Sequence, residues 1–126
     1  LLRRLRAPPL GRREAAAAAA GGGGVRGNEL FVSIGRPPAL FMRVAQAILR
    51  EHEEVRVYAL EAAIINAVDT AFMLQRRRVA DIASVATDQL RDPHRGPKAR
   101  MRILLRRTDD YVRHLAREAA AAAAYD

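Results

Sequence analysis

Cysteine is absent from the 126 residues, which excludes a disulfide framework and any thiolate metal site. Tryptophan is absent too, and phenylalanine and tyrosine together make up 5% of the chain, so ring platforms for stacking on bases are scarce. They are Phe31, Phe41, Phe72, Tyr58, Tyr111 and Tyr125, of which Phe41 and Phe72 are expected to serve the core. The histidines, His52, His94 and His114, are scattered without ligand spacing. No apolar run approaches the roughly 20 residues needed to span a bilayer, so no membrane role is expected. Signs of catalysis are missing as well. Glu53 and Glu54 are adjacent in an expected strand and point to opposite sides. Gly21–Gly24 follows an alanine tract rather than a strand, which makes it linker and not a phosphate loop. No Ser-His-Asp order or metal cluster is visible, so no enzyme activity, cofactor or metal is expected.

What the chain does have is positive charge. The formal net charge is +8, with 22 Lys and Arg against 14 Asp and Glu. Arg91–Arg107 holds Arg91, Arg95, Lys98, Arg100, Arg102, Arg106 and Arg107 against Asp92 alone. The same stretch has the pattern of a hairpin: Val85–Leu90, then Asp92-Pro93-His94-Arg95-Gly96-Pro97, then Ala99–Arg107. A strand pair ending in a cationic loop suits a groove lined with phosphates. A solvated, charged edge that keeps a sheet soluble has much the same composition.

Residues 1–27 form a basic, low-complexity tail in this reading, since Ala15–Ala20 followed by Gly21–Gly24 offers nothing to a core. Leu1–Arg13 is Arg-rich and acid-poor, as organelle targeting segments are, but lacks their serines. Order is expected from Asn28. Leu30, Val32 and Ile34 alternate with Phe31 and Ser33 in a first strand, and Gly35-Arg36-Pro37-Pro38 leads into a helix over about 39–52. Leu40, Val44, Ala47 and Ile48 share one helical face, with Arg43, Gln46 and Arg50 on the other. Glu54–Tyr58 is a second strand, parallel to the first across the helix.

A second helix is expected over Glu61–Arg78. Its apolar stripe is Ile64, Ile65, Val68, Ala71, Phe72 and Leu74, and Asn66, Asp69, Thr70, Met73 and Arg77 lie on or beside the opposite face. Arg76-Arg77-Arg78 closes it, as helix termination or as a phosphate contact. In Ala99–Arg107, Met101, Ile103 and Leu105 face the helices, while Arg100, Arg102, Leu104 and Arg106 face outward. A last helix, Asp109–Ala124, is capped by Thr108 or Asp109 and either docks on the domain or projects from it. The expected fold class is α/β: a two-layer β-α-β-α-β-β domain over 28–108 with a mixed four-stranded sheet, and a helical extension over 109–126.

Several segments carry a resemblance in this order. Asn28-Glu29-Leu30-Phe31-Val32-Ser33-Ile34, Pro38-Ala39-Leu40-Phe41-Met42-Arg43-Val44, and Ala59-Leu60-Glu61-Ala62-Ala63-Ile64 with Ala67-Val68-Asp69-Thr70 resemble the first strand, first helix and second-helix signature of the Alba family. The basic strand–turn–strand resembles that family's nucleic-acid-reaching hairpin, and the likeness covers about residues 28–107. The resemblance implies a dimer, with itself or with another Alba-like protein, that binds RNA and/or DNA without strong sequence preference. It implies contacts from the loop after the first strand, the helical face beside it and the hairpin: Arg36, Arg43, Arg91, Arg95, Lys98, Arg100 and Arg102. An intracellular setting, nucleus and/or cytoplasm, is expected with it. Alba-like subunits of ribonuclease P and MRP complexes suggest an alternative, a structural role as a heterodimer partner.

Three departures stand out. Archaeal members carry a lysine pair after the first strand, whereas here the loop is Gly35-Arg36-Pro37-Pro38 and Lys98 is the chain's one lysine. The glycine usual before the second helix is Glu61, whose carboxylate would repel phosphate. The hairpin tip is short, which is expected to limit its reach. Recognition of backbone and shape is expected over base stacking.

Overall fold

The computed structural model describes residues 23–125. Readings of the chain before residue 23, including the basic tail and the targeting-like opening, lie outside the described residues. The elements are β1 (Gly24–Arg26), β2 (Glu29–Val32), α1 (Pro38–Glu51), β3 (Glu54–Leu60), a 3₁₀ turn (Glu61–Ala63), α2 (Ile64–Arg76), β4 (Ala80–Asp92), β5 (Gly96–Arg107) and α3 (Asp109–Ala124). The sheet runs β1-β2-β3-β5-β4. β2 and β3 are parallel and joined through α1, and the other neighbours are antiparallel.

The α/β class agrees with the sequence, but the sheet has five strands rather than four. The added strand is β1, which falls where the sequence suggested only tail. It pairs Val25 with Leu30 through a two-residue Gly27-Asn28 turn. Gly27 has φ +61, at the first central position where such turns take glycine. Nothing in the alanine–glycine composition announces a strand this short.

Burial alternates strictly along β3. Val55, Val57 and Ala59 are buried, while Arg56 and Leu60 are exposed and Tyr58 is half-buried. One face of the sheet is therefore covered, and α1 and α2 cover it together. Phe41, Met42, Val44, Ala45, Ile48 and Leu49 of α1 pack with Leu30, Val57, Leu74 and Leu105 in this core. Each of these side chains other than Ala45 contributes about 1.5–3 kcal/mol by leaving water. Among the described residues, no helix covers the other face of the sheet.

α2 begins later than expected and turns a different side inward. Its buried residues are Ala67, Thr70, Ala71 and Leu74, with Thr70 at 0% exposure. Ile65 and Phe72, assigned to the core by periodicity, are 66% and 50% exposed. The reason is that α2 has two apolar stripes. Small residues let it sit close on the sheet and α1, and the bulkier Ile65 and Phe72, one i,i+7 step apart, face outward.

α2 ends in a Schellman motif: Val79 N donates to Leu74 O at 3.0 Å and Arg78 N to Gln75 O at 3.0 Å. Arg78 occupies the left-handed position, φ +56, where glycine is usual. Of the basic triplet, Arg78 thus serves termination. α3 docks rather than projects. Thr108 caps it by accepting from Tyr111 N, Tyr111 and Leu115 are buried, and the Tyr111 hydroxyl donates to Gln46 O at 3.0 Å. Arg50 pairs with Glu118 at 3.0 Å to close the α1–α3 seam.

Candidate nucleic-acid interface

The loop Ser33–Pro37 leaves the end of β2 and turns into α1, and α2 holds it in place. Asn66 Nδ2 donates to Ser33 O at 3.1 Å. The Thr70 hydroxyl donates back to Asn66 O at 2.8 Å and lies 3.5 Å from Pro38 O. These two residues, read from sequence as lying away from the core, instead anchor the loop that carries Arg36. α1 opens on Pro38 without a side-chain cap and without an acid in its first turn. Neither a capping side chain nor a first-turn acid therefore offsets its partial positive charge. Arg36 sits at this end half-buried, with its Nε lacking a hydrogen-bond partner, and Ser33 Oγ is likewise buried and unpartnered. Arg43 stands on the exposed side of α1.

The hairpin rises from the same end of the sheet. β3 pairs with β5 only as far as Leu60–Arg100. β4 and β5 continue past it through Gln89–Ala99, Leu90–Lys98, Arg91–Pro97 and Asp92–Gly96. At about 3.4 Å per residue this two-stranded arm stands roughly 14 Å clear of β3 before its turn. The short tip expected to limit reach is therefore carried on long strands. The three-residue turn Pro93–Arg95 is fixed by Asp92 Oδ1, which accepts from His94 N at 2.8 Å and Arg95 N at 3.3 Å. Gly96 at φ +78 completes it. The β4 register shifts between Ile82 and Ser84, a bulge that increases local twist below the arm.

Glu61 sits at the root of the arm. Its φ of +51 explains why glycine suits the position. Its carboxylate accepts from Ala99 N at 3.2 Å, so the side chain braces the arm while adding negative charge there.

The expected contact residues divide into groups. Arg36 and Arg43 lie at the loop and on α1. Arg91 and Arg95 are exposed, and neither makes an ion pair among the described residues. Lys98, Arg100 and Arg102 have intramolecular partners. Lys98 Nζ is 3.9 Å from Asp92. Arg100 grips Asp88 with two hydrogen bonds, 2.8 and 2.6 Å, and Arg102 lies 3.8 Å from the same carboxylate. The Arg100 hydrogen bonds hold the Asp88 carboxyl below its ordinary range, and Asp88 raises Arg100 in turn. Asp88 lies outside the 91–107 window that looked almost acid-free, and only the β4–β5 register brings it there.

Arg91 is on the helix side of the arm, in line with Thr87 and Gln89, while Lys98, Arg100 and Arg102 share the open side. That open side also holds an aromatic pair the sequence reading passed over. Phe31 and Tyr58 are in register across β2 and β3, with ring centroids 5.2 Å apart and planes at 17°. The parallel register makes them neighbours, and strand alternation alone does not reveal it. Arg56 and Arg102 flank Tyr58 on the same face, and two open clefts meet at this ring.

Two solved structures share the fold. ALBA1 from Trypanosoma brucei matches with a TM-score of 0.65 and 22% identity, over 80% of this chain and 87% of that one. Alba from Thermoplasma volcanium matches with a TM-score of 0.53 and 21% identity, over 64% of this chain and 100% of that one. The architecture is therefore Alba-like. No protein-family model and no curated protein matches the chain.

Proposed function

We propose that the chain is a non-enzymatic nucleic-acid-binding protein of the Alba type, taking RNA and/or DNA by their phosphates with little sequence preference. The observation that carries this reading is the arm. A two-stranded projection, with Arg91 and Arg95 exposed and without ion pairs among the described residues, rises beside an uncapped helix N-terminus that bears Arg36. Both features attract anions, and their shared end of the sheet lets one backbone meet both. The Alba-like fold supports the same assignment. Lys98, Arg100 and Arg102 contribute field from the open side, weakened by Asp88 and Asp92. Arg43 extends the surface along α1. The partner reading is dimerisation, with a second copy or with another Alba-like chain, through the outward stripe of α2 at Ile65 and Phe72. Phe41 and Met42, 0% and 3% exposed, belong to the protomer core. An intracellular setting, nucleus and/or cytoplasm, accompanies a nucleic-acid partner.

The test is binding to matched duplex DNA, duplex RNA and single-stranded RNA across a salt series. Affinity that falls linearly on a log–log plot, with similar slopes for different sequences, is the expected result. Salt-independent binding, or none, defeats the proposal. Sedimentation equilibrium of the chain and of Phe72→Glu tests the partner surface. A monomer for the unmodified chain argues against self-association and favours a different Alba-like partner.

A further inference from the structure

Tyr58 has one ring face against Phe31 and borders, on its β5 side, an open cleft of about 200 Å³ lined by Arg56, Ser84, Ala86 and Arg102. We infer that this cleft, on the sheet face that no described helix covers, receives one unpaired base of a single-stranded nucleic acid. The base would be stacked between Tyr58 and the Arg102 guanidinium. The inference rests on the nucleic-acid reading above but concerns a different face and a different kind of substrate.

Three observations carry it. First, the aromatic pair is pre-formed. Phe31 already supports Tyr58 in a near-parallel stack, so docking a base on the free side orders little that is not ordered. Second, the charge is complementary. Arg56 is exposed and makes no ion pair among the described residues, although Glu29 lies beside it in register. The side chain of Arg102 is 48% exposed and only loosely held by Asp88 at 3.8 Å. One guanidinium is thus available to a phosphate and the other to a base plane, the two partners a single-stranded nucleotide presents. Third, Ser84 lines the same cleft, and a serine hydroxyl offers a donor and an acceptor to a base edge. A base within a duplex has both faces covered by its neighbours and cannot enter, so this face selects unpaired segments. The loop and arm, in contrast, read only phosphate.

The experiment compares a 12-nucleotide oligouridine with a matched RNA duplex on the full chain. Tyr58→Leu is expected to weaken oligouridine binding by about tenfold or more, the loss typical of one stacking platform, and to leave duplex binding within twofold. Tyr58→Phe keeps the ring and is expected to keep the affinity. Because the chain lacks tryptophan, tyrosine emission reports directly. Oligouridine is expected to quench it in the unmodified chain and much less in Tyr58→Phe. Ala86→Leu, an exposed position on the edge strand, fills the cleft without touching the core and is expected to reproduce the loss. Unchanged oligouridine affinity in Tyr58→Leu and Ala86→Leu overturns the inference, as does an equal loss on the duplex. If the unmodified chain binds duplex but not oligouridine, the inference fails and the phosphate reading stands. If it binds neither, both fail.

Discussion

The hairpin offers a clean separation between free and internally spent charge. Arg91 and Arg95 carry two positive charges with no ion pair among the described residues, whereas Arg100 and Asp88 form a locked, neutral pair. Arg91→Ala/Arg95→Ala removes two phosphate contacts. At about 0.9 per contact, the log–log salt slope on duplex DNA is expected to fall by about 1.8. Between 50 and 200 mM salt that is a difference of roughly twelvefold in how far the variant trails the unmodified chain. Asp88→Ala/Arg100→Ala removes no net charge and is expected to leave the slope within about 0.5. A half-buried pair at the sheet surface, still in contact with water, also contributes little to folding, so circular dichroism melts of both variants are expected to stay close to the unmodified chain. Fluorescence anisotropy at four salt concentrations measures the slopes. Equal slope changes in the two variants would show that Arg100 leaves Asp88 for phosphate and would refute the division made here.

Other outcomes follow from the backbone and the charges. Arg78→Gly relieves a left-handed φ and is expected to stabilise the fold by about 1 kcal/mol, raising the melting temperature by roughly 4–6 °C; a lower value contradicts the strain. Glu61→Gln keeps an acceptor for Ala99 N and deletes the charge at the arm's root, so duplex affinity is expected to rise about two- to fivefold at low salt and less at high salt. Deleting residues 1–27 removes β1 and is expected to lower the melting temperature more than deleting 1–22, and equal melts would mean that β1 adds nothing. Asp88 ionises below its ordinary value because Arg100 hydrogen-bonds the carboxylate. Its stabilisation is therefore present above the unfolded value of about 3.9 and is lost as pH falls through the lowered folded value. A carboxyl NMR titration midpoint that does not rise in Arg100→Ala would contradict that cause.

Strong alternation and helical periodicity made β2, α1, β3, β5 and α3 legible, since in each the buried face follows one period. α2 was misread because both its sides are apolar, and hydropathy ranks Ile65 and Phe72 above the alanines that actually meet the core. Thr70 was misread because a helical threonine satisfied by Asn66 O loses its need for water, which no residue scale reports. At the site, basic residues could be counted but their partners could not. Asp88 faces Arg100, and Phe31 faces Tyr58, only once strand register is known. Glu61 stands out in the sequence at a position where the Alba resemblance expects glycine, and the reason lies in its φ and in the amide it holds.

The place where β3 ends divides the hairpin mechanically. Below it, β5 is bonded on both sides and lies over the core; above it, apart from the Glu61 carboxylate on Ala99 N, the last pairs of β4 and β5 are bonded only to each other. Opening those distal pairs breaks no core contact, so their amides are expected to exchange with solvent faster than the pairs shared with β3. The arm is then a lever pivoting beside Glu61, able to follow a curved backbone while its footing stays rigid.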